Sequence, residues 1–209
     1  MHDVATSDVR KSIKPFLVAW LVAAAFYVVV ANTAGRNISP YLDFRAFYSA
    51  GALVRTDPAA LFDLNVQQAL QNTIAPGPVL PFNHPAYEAL LFAPFSVLPY
   101  RGAYVAFAVF NLLLVLGAFL AARDAFSVTL PLWQPRPGLM LFPFVPLIAA
   151  LFHGQDSVLS LFLCCLAWRF LTRDQIALSG FILSLGLFKF NLFLPLVLVL
   201  VVWKGWKLA

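Results

Sequence analysis

Six polar side chains stand out against an otherwise greasy chain: Asp43, Arg45, His84, His153, Gln155 and Lys189. Asp43 is the first acid after the N-terminal tail and opens the stretch Leu42-Asp43-Phe44-Arg45-Ala46-Phe47-Tyr48. A carboxylate there can take a proton from a hydroxyl, or can simply cap a helix whose free N–H groups favour an anion. Lys189 is the sole charge in residues 176–203. A cation in such a run is a candidate functional group by default, and its plain alternative is snorkelling to a headgroup. Arg45 can serve an anionic ligand or pair with lipid. His84 lies in Asn83-His84-Pro85, and His153 and Gln155 lie in His153-Gly154-Gln155-Asp156-Ser157. Both stretches read as polar turns, and Gln155 and Asp156 can cap the helix that follows. The two histidines show no carboxylate partners at ligand spacing, so no metal set is read from them. Glu88 either faces water or helps to position a ligand.

The elements that must carry these groups are apolar helices. The chain has 209 residues, 62% of them hydrophobic and 11% charged, with a mean hydropathy of +0.84. Soluble domains carry about 25% charged residues, so the composition predicts an all-α polytopic membrane protein in a lipid bilayer. The net charge of +5 reads as anchoring on the cytoplasmic face and not as nucleic-acid binding, because no basic patch is interleaved with aromatics. Cys164 and Cys165 are adjacent within an apolar run and match neither a disulfide nor a metal spacing.

In chain order, residues 1–14 form a cytoplasmic tail and 15–34 the first span, retained as a signal anchor. Residues 35–101 form a long outer loop with interfacial helices. The first helix covers 42–55, its Phe44, Phe47, Tyr48 and Val54 making one greasy face suited to the membrane interface. A second opens at Asp57-Pro58 and runs to about 71. A third covers 86–97. The remaining spans occupy 102–209 and are read as 102–122, 138–152, 158–171 and a final pair within 176–203. As a single helix, that last run would be about 42 Å long and would hold an ammonium near the midplane at a cost of about 3 kcal/mol or more. A hairpin turning at Lys189 removes both problems. It makes six spans in one membrane domain, with both termini inside. Nine of the 14 Lys and Arg residues then lie on the cytoplasmic side: Arg10, Lys11, Lys14, Arg123, Arg136, Arg169, Arg173, Lys204 and Lys207. This topology sends Asp43, His84, the 153–157 turn and Lys189 to the same outer side.

Residues 42–44 with Phe47-Tyr48-Ser49-Ala50-Gly51 resemble the first outer loop of glycosyltransferase family 87, which includes bacterial polyprenol-phosphate-mannose-dependent α-1,2-mannosyltransferases. Phe82-Asn83-His84-Pro85 through Leu90-Leu91-Phe92-Ala93-Pro94-Phe95 and Leu98-Pro99 is similar to the family's next block. Gly154-Gln155-Asp156-Ser157 resembles its Gly-Gln-x-Ser turn, and Ser184 through Lys189 its lysine hairpin. The chain departs from the family in two places: His84-Pro85-Ala86 stands where Tyr-Pro-Pro is usual, and Lys189-Phe190 where Lys-Pro is usual. Its length corresponds to the N-terminal half of a typical member.

The resemblance implies a C-type glycosyltransferase-like fold. It also implies inverting transfer of a mannosyl or other hexosyl group from a polyprenyl-phosphate sugar to a cell-envelope glycan or glycolipid. The expected location is the outer, periplasmic face of a bacterial plasma membrane. Asp43 becomes the general base. Lys189 becomes a phosphate contact, with Arg45, His84, His153 and Gln155 as further substrate contacts. No cofactor is implied, the lipid-phosphate sugar being a substrate. The alternative is a non-catalytic membrane scaffold or a small transporter, although no internal repeat is present.

Overall fold

The protein is described by a computed structural model covering residues 18, 20–29, 33, 43–129 and 145–204, with backbone alone for 123–129 and 204. Every regular element among the described residues is helical. The helices are α1 (Trp20–Val29), α2 (Phe44–Thr56), α3 (Leu64–Ile74), α4 (Ala86–Phe92), α5 (Tyr100–Thr129), α6 (Val145–His153), α7 (Ser157–Leu171), α8 (Ile176–Leu185) and α9 (Phe190–Lys204). Three short 3-10 turns, Pro58–Ala60, Phe95–Val97 and Leu187–Lys189, join them.

The segment before α5 differs from the expected surface layer. The greasy face of α2 packs into the protein, against α3, α4 and the Phe95–Val97 turn. Phe44 and Phe47 are buried. Phe44 stacks on Phe107 of α5 at 5.1 Å, and Phe47 stacks on Phe92 of α4 at 4.5 Å. Burying two aromatic rings in this way contributes several kcal/mol, more than an interface could return for the same area. The helix expected to open at Asp57-Pro58 starts later. Pro58–Ala60 forms a 3-10 turn that sends Leu61 into the core, and Asp63 then caps α3 by accepting from Asn65 N at 2.8 Å and Val66 N at 3.3 Å. The helix expected over 86–97 is broken at Pro94, which cannot supply the N–H that a continuing helix needs.

The longest helix, α5, packs along α7, and α7 packs against α8. Ser179 Oγ donates to the Ala167 carbonyl at 2.9 Å across the second of these contacts, while Arg169 at the foot of α7 donates to Leu120 O of α5 at 2.9 Å. Within α5, Tyr100–Ala122 alone is long and apolar enough to cross a membrane among the described residues. Residues 176–203 qualify only as a bent pair. Trp20–Val29 and Ser157–Leu171 are apolar but shorter. The segments 130–144 and 205–209, with residues 15–17, 19, 30–32 and 34 of the first expected span, lie outside the described residues.

The break near Lys189 is present where the charge is, but its form differs from a hairpin. The axis bends by 66° from one arm to the next and does not double back. Gly186 makes the bend possible: a Cβ there would lie 2.1 Å from the Phe193 ring, which folds back over the glycine and is fully buried. The 3-10 turn Leu187–Lys189 then swings the lysine out of the apolar column.

Candidate functional site

The polar groups meet at one end of the bundle. A cavity of about 590 Å³ is lined by the start of α2, the segment 80–84, the turn between α6 and α7, and the Lys189 bend. Asp43, His84, Gln155, Asp156, Ser157 and Lys189 all contribute to its wall.

The 153–157 turn is built from both sides. Helix α6 ends in an orphan set of carbonyls, as every helix does. Tyr104 Oη of α5 donates to Phe152 O at 2.6 Å, and Tyr27 of α1 donates to Leu151 O. Gly154 follows with φ +65°, its N–H bonding to Leu151 O at 3.2 Å, while Gln155 N reaches Ala150 O at 2.9 Å. This is a left-handed helix stop of the kind glycine serves. A Cβ on Gly154 would lie 2.7 Å from the Phe44 Cβ, so the turn sits directly against the residue after Asp43.

Asp43 stands at the N-cap position of α2, but its carboxylate makes no capping bond. Only its backbone oxygen does so, accepting from Ala46 N at 3.0 Å. The carboxylate instead accepts from Gln155 Nε2 at 2.5 Å, with His153 Nδ1 at 3.9 Å from the same oxygen. Its side chain is 37% exposed, open enough to meet a ligand.

From Gln155 the polar contacts continue across the cavity floor. Ser157 Oγ donates to Gln155 Oε1 at 3.4 Å and accepts from Lys189 Nζ at 2.7 Å. Lys189 also pairs with Asp156 Oδ1 at 2.7 Å. Beyond it, Asp156 Oδ2 lies 3.8 Å from His84 Nδ1, which is itself 2.7 Å from Glu88 Oε2. Asp156, like Asp43, occupies an N-cap position without capping. Glu88 and Asp156 are buried, and His84 and Lys189 are partly open. The hydrogen bond with Glu88 raises the pKa of His84 against the opposing effect of burial. Burial pushes the Glu88 carboxyl well above the usual carboxylate range, and the His84 contact only partly offsets it. His84 Nδ1 and oxygens of Glu88 and Asp156 all lie within 4.8 Å of one another, close enough to hold a metal ion.

Of the expected site residues, Asp43, His84, Gln155 and Lys189 line the cavity, and His153 stands beside Asp43. Arg45 does not reach it. The helical turn after Asp43 points Arg45 to the opposite side, where it is fully buried and donates to Ala75 O at 2.8 Å and to Pro78 O. Its charge holds a loop and not a ligand. Glu88 and Asp156 carry more of the electrostatics than their positions in the sequence suggest. Glu88 is four residues after His84, the spacing of neighbours on a helix face, a signal obscured by reading Asn83-His84-Pro85 as a turn alone.

One wall was not foreseen. Residues 75–82 form an extended strap pinned by side chains of α3. Gln67 donates to Leu61 O at 2.7 Å and accepts from Phe82 N at 2.9 Å. Gln71 donates to Leu80 O at 2.8 Å and accepts from Leu80 N at 2.9 Å, pairing with the strap as a neighbouring strand would. Gln68 adds a bond to Gly77 O at 2.8 Å. The strap presents Leu80, Pro81 and Phe82 to the cavity. Gln67, Gln68 and Gln71 at helical spacing were the available sign.

The model of glycosyltransferase family 87 matches residues 82–208, more than half of the chain. The matched segment contains His84, Glu88, His153, Gln155, Asp156 and Lys189, whereas Asp43 and Arg45 precede it. No curated protein and no solved structure matches.

Proposed function

This chain belongs to glycosyltransferase family 87, and from that premise we propose that the cavity carries out inverting transfer of a hexosyl group, mannosyl foremost, from a polyprenyl-phosphate sugar to a glycan or glycolipid acceptor. In this reading Asp43 is the general base. Its carboxylate takes the proton of the acceptor hydroxyl as the oxygen attacks the anomeric carbon. A new carbon–oxygen bond forms on one face of the sugar as the bond to the phosphate oxygen breaks on the other, and the electron pair leaves with the phosphate. Gln155 and His153 orient the base.

Charge develops on the leaving phosphate, so that side of the site needs donors fixed in advance. Lys189, held by Asp156 and Ser157, and His84, held by Glu88, are the two donors available there. The single observation that carries the reading is that a carboxylate freed from its capping role and a carboxylate-pinned lysine line one cavity of about 590 Å³. That volume falls within the usual range for small-ligand sites, roughly 300–1,000 Å³.

The proposed setting is a single membrane domain with a cytoplasmic N-terminal tail, the segment 35–101 outside, and the cavity at the outer face of a bacterial plasma membrane. The test is transfer from radiolabelled polyprenyl-phosphate sugars by membranes expressing the complete reading frame. Wild-type membranes label a glycan or glycolipid, and Asp43→Asn lowers the rate by about 100-fold or more with the protein still inserted. Full turnover by Asp43→Asn removes that residue as the base.

A further inference from the structure

Glu88 and Asp156 are 2% and 3% exposed. Glu88 Oε1 and Asp156 Oδ2 meet no hydrogen-bond donor. Glu88 Oε2 meets only His84 Nδ1, at 2.7 Å. Buried carboxylate oxygens are costly to leave unsatisfied, and they are relieved by a proton, a paired charge or a metal ion. Lys189 provides one charge, but it is spent on Asp156 Oδ1 and Ser157. Of the oxygens left over, Glu88 Oε2 and Asp156 Oδ2 face His84 Nδ1.

We propose that His84, Glu88 and Asp156 bind one divalent cation, with Asp156 bridging the ion and the Lys189 ammonium. One imidazole nitrogen and two carboxylates form a hard set that suits Mn²⁺, Mg²⁺ or Zn²⁺. Ligand atoms around such an ion lie about 2.0–2.2 Å from it. Small side-chain rotations therefore admit an ion, the 2.7 Å contact of His84 Nδ1 opening and the 3.8 Å contact closing by a few tenths of an ångström. His84 and Asp156 also line the cavity, so the ion occupies its wall.

The site stands on geometry alone, and its purpose rests on the glycosyl-transfer reading above. Three carboxylates, Asp43, Glu88 and Asp156, face one ammonium in and behind the cavity wall. A sugar phosphodiester brings another negative charge, and its departure as a monoester leaves one more on the phosphate. A dication in the wall offsets that growth where Lys189 alone does not.

The experiment is titration of the purified, metal-free full chain in detergent with Mn²⁺, following loss of the free-ion electron paramagnetic resonance signal. Competition by Zn²⁺ and Mg²⁺ and the thermal midpoint are measured alongside. One ion per chain is expected, with a rise in midpoint on binding and affinity at least tenfold weaker in Glu88→Gln and in Asp156→Asn. Asp43→Asn, which removes the proposed base, binds the ion as wild type does, so failure of the base and failure of the ion site are read separately. Absence of binding to the wild-type chain below millimolar Mn²⁺ or Zn²⁺ overturns the site. So does equal binding by whichever carboxylate variant folds. Either result means that a proton held between His84 and Glu88 neutralises the cluster instead.

Discussion

Lys189 and Asp156 show how a single charged pair can serve both stability and binding. Asp156 is almost entirely buried, and the ammonium 2.7 Å away is its one strong partner. Lys189→Met therefore leaves an uncompensated carboxylate and lowers stability by about 3 kcal/mol. Adding Asp156→Leu recovers most of that loss, because two apolar groups of similar size replace the pair. Donor binding is not recovered. Thermal melts alongside the donor KM separate the two effects, and a Lys189→Met protein that melts as wild type does contradicts the pairing. Asp43 is the opposite case. Its carboxylate caps nothing, and an amide oxygen can still accept from Gln155, so Asp43→Asn leaves the unfolding free energy within about 0.5 kcal/mol of wild type while transfer is lost.

At the scale of elements, the strap 75–82 is held by polar side chains and not by a core. Gln71 satisfies both the N–H and the carbonyl of Leu80. Gln71→Leu orphans both groups and costs about 1–3 kcal/mol for each that stays buried. Faster proteolytic cutting within 75–82 and a lower thermal midpoint are the expected readouts, and unchanged cutting argues that the strap is held elsewhere. Arg45 belongs to the same device, since its guanidinium bonds to Ala75 and Pro78. Arg45→Met is accordingly expected to act as a strap variant, loosening 75–82 to cleavage.

Among the described residues, the polar cavity lies at one end of the helices and Arg169 at the other. Asp43, His84, Gln155 and Lys189 gather at the first, while Arg169 reaches Leu120 at the other. If the cavity faces outward, a cysteine at the exposed Asn83 reacts with a membrane-impermeant thiol reagent in intact cells. A cysteine at the exposed Thr172 reacts only after permeabilisation. Both are introduced with Cys164 and Cys165 replaced by alanine. Labelling of Thr172→Cys in intact cells with Asn83→Cys silent reverses the orientation.

Helical class, the apolar columns, the polar turn at 153–157 and a break at Lys189 were legible in the bare chain. Each follows from transfer free energies that add residue by residue along a window, and an isolated charge or a glycine within such a window shows at once. Which polar groups meet was not legible. Gln155 and Asp43 are 112 residues apart, and Lys189 and Ser157 are 32 apart. The inward face of α2, the 66° angle at the break, the burial of Arg45 and the joining of His84, Glu88 and Asp156 likewise depend on how the helices pack. Periodicity says that a face is apolar but not whether lipid or another helix covers it, and spacing along one helix says nothing of what lies opposite. Those choices belong to long-range packing, and here they determine the chemistry of the cavity.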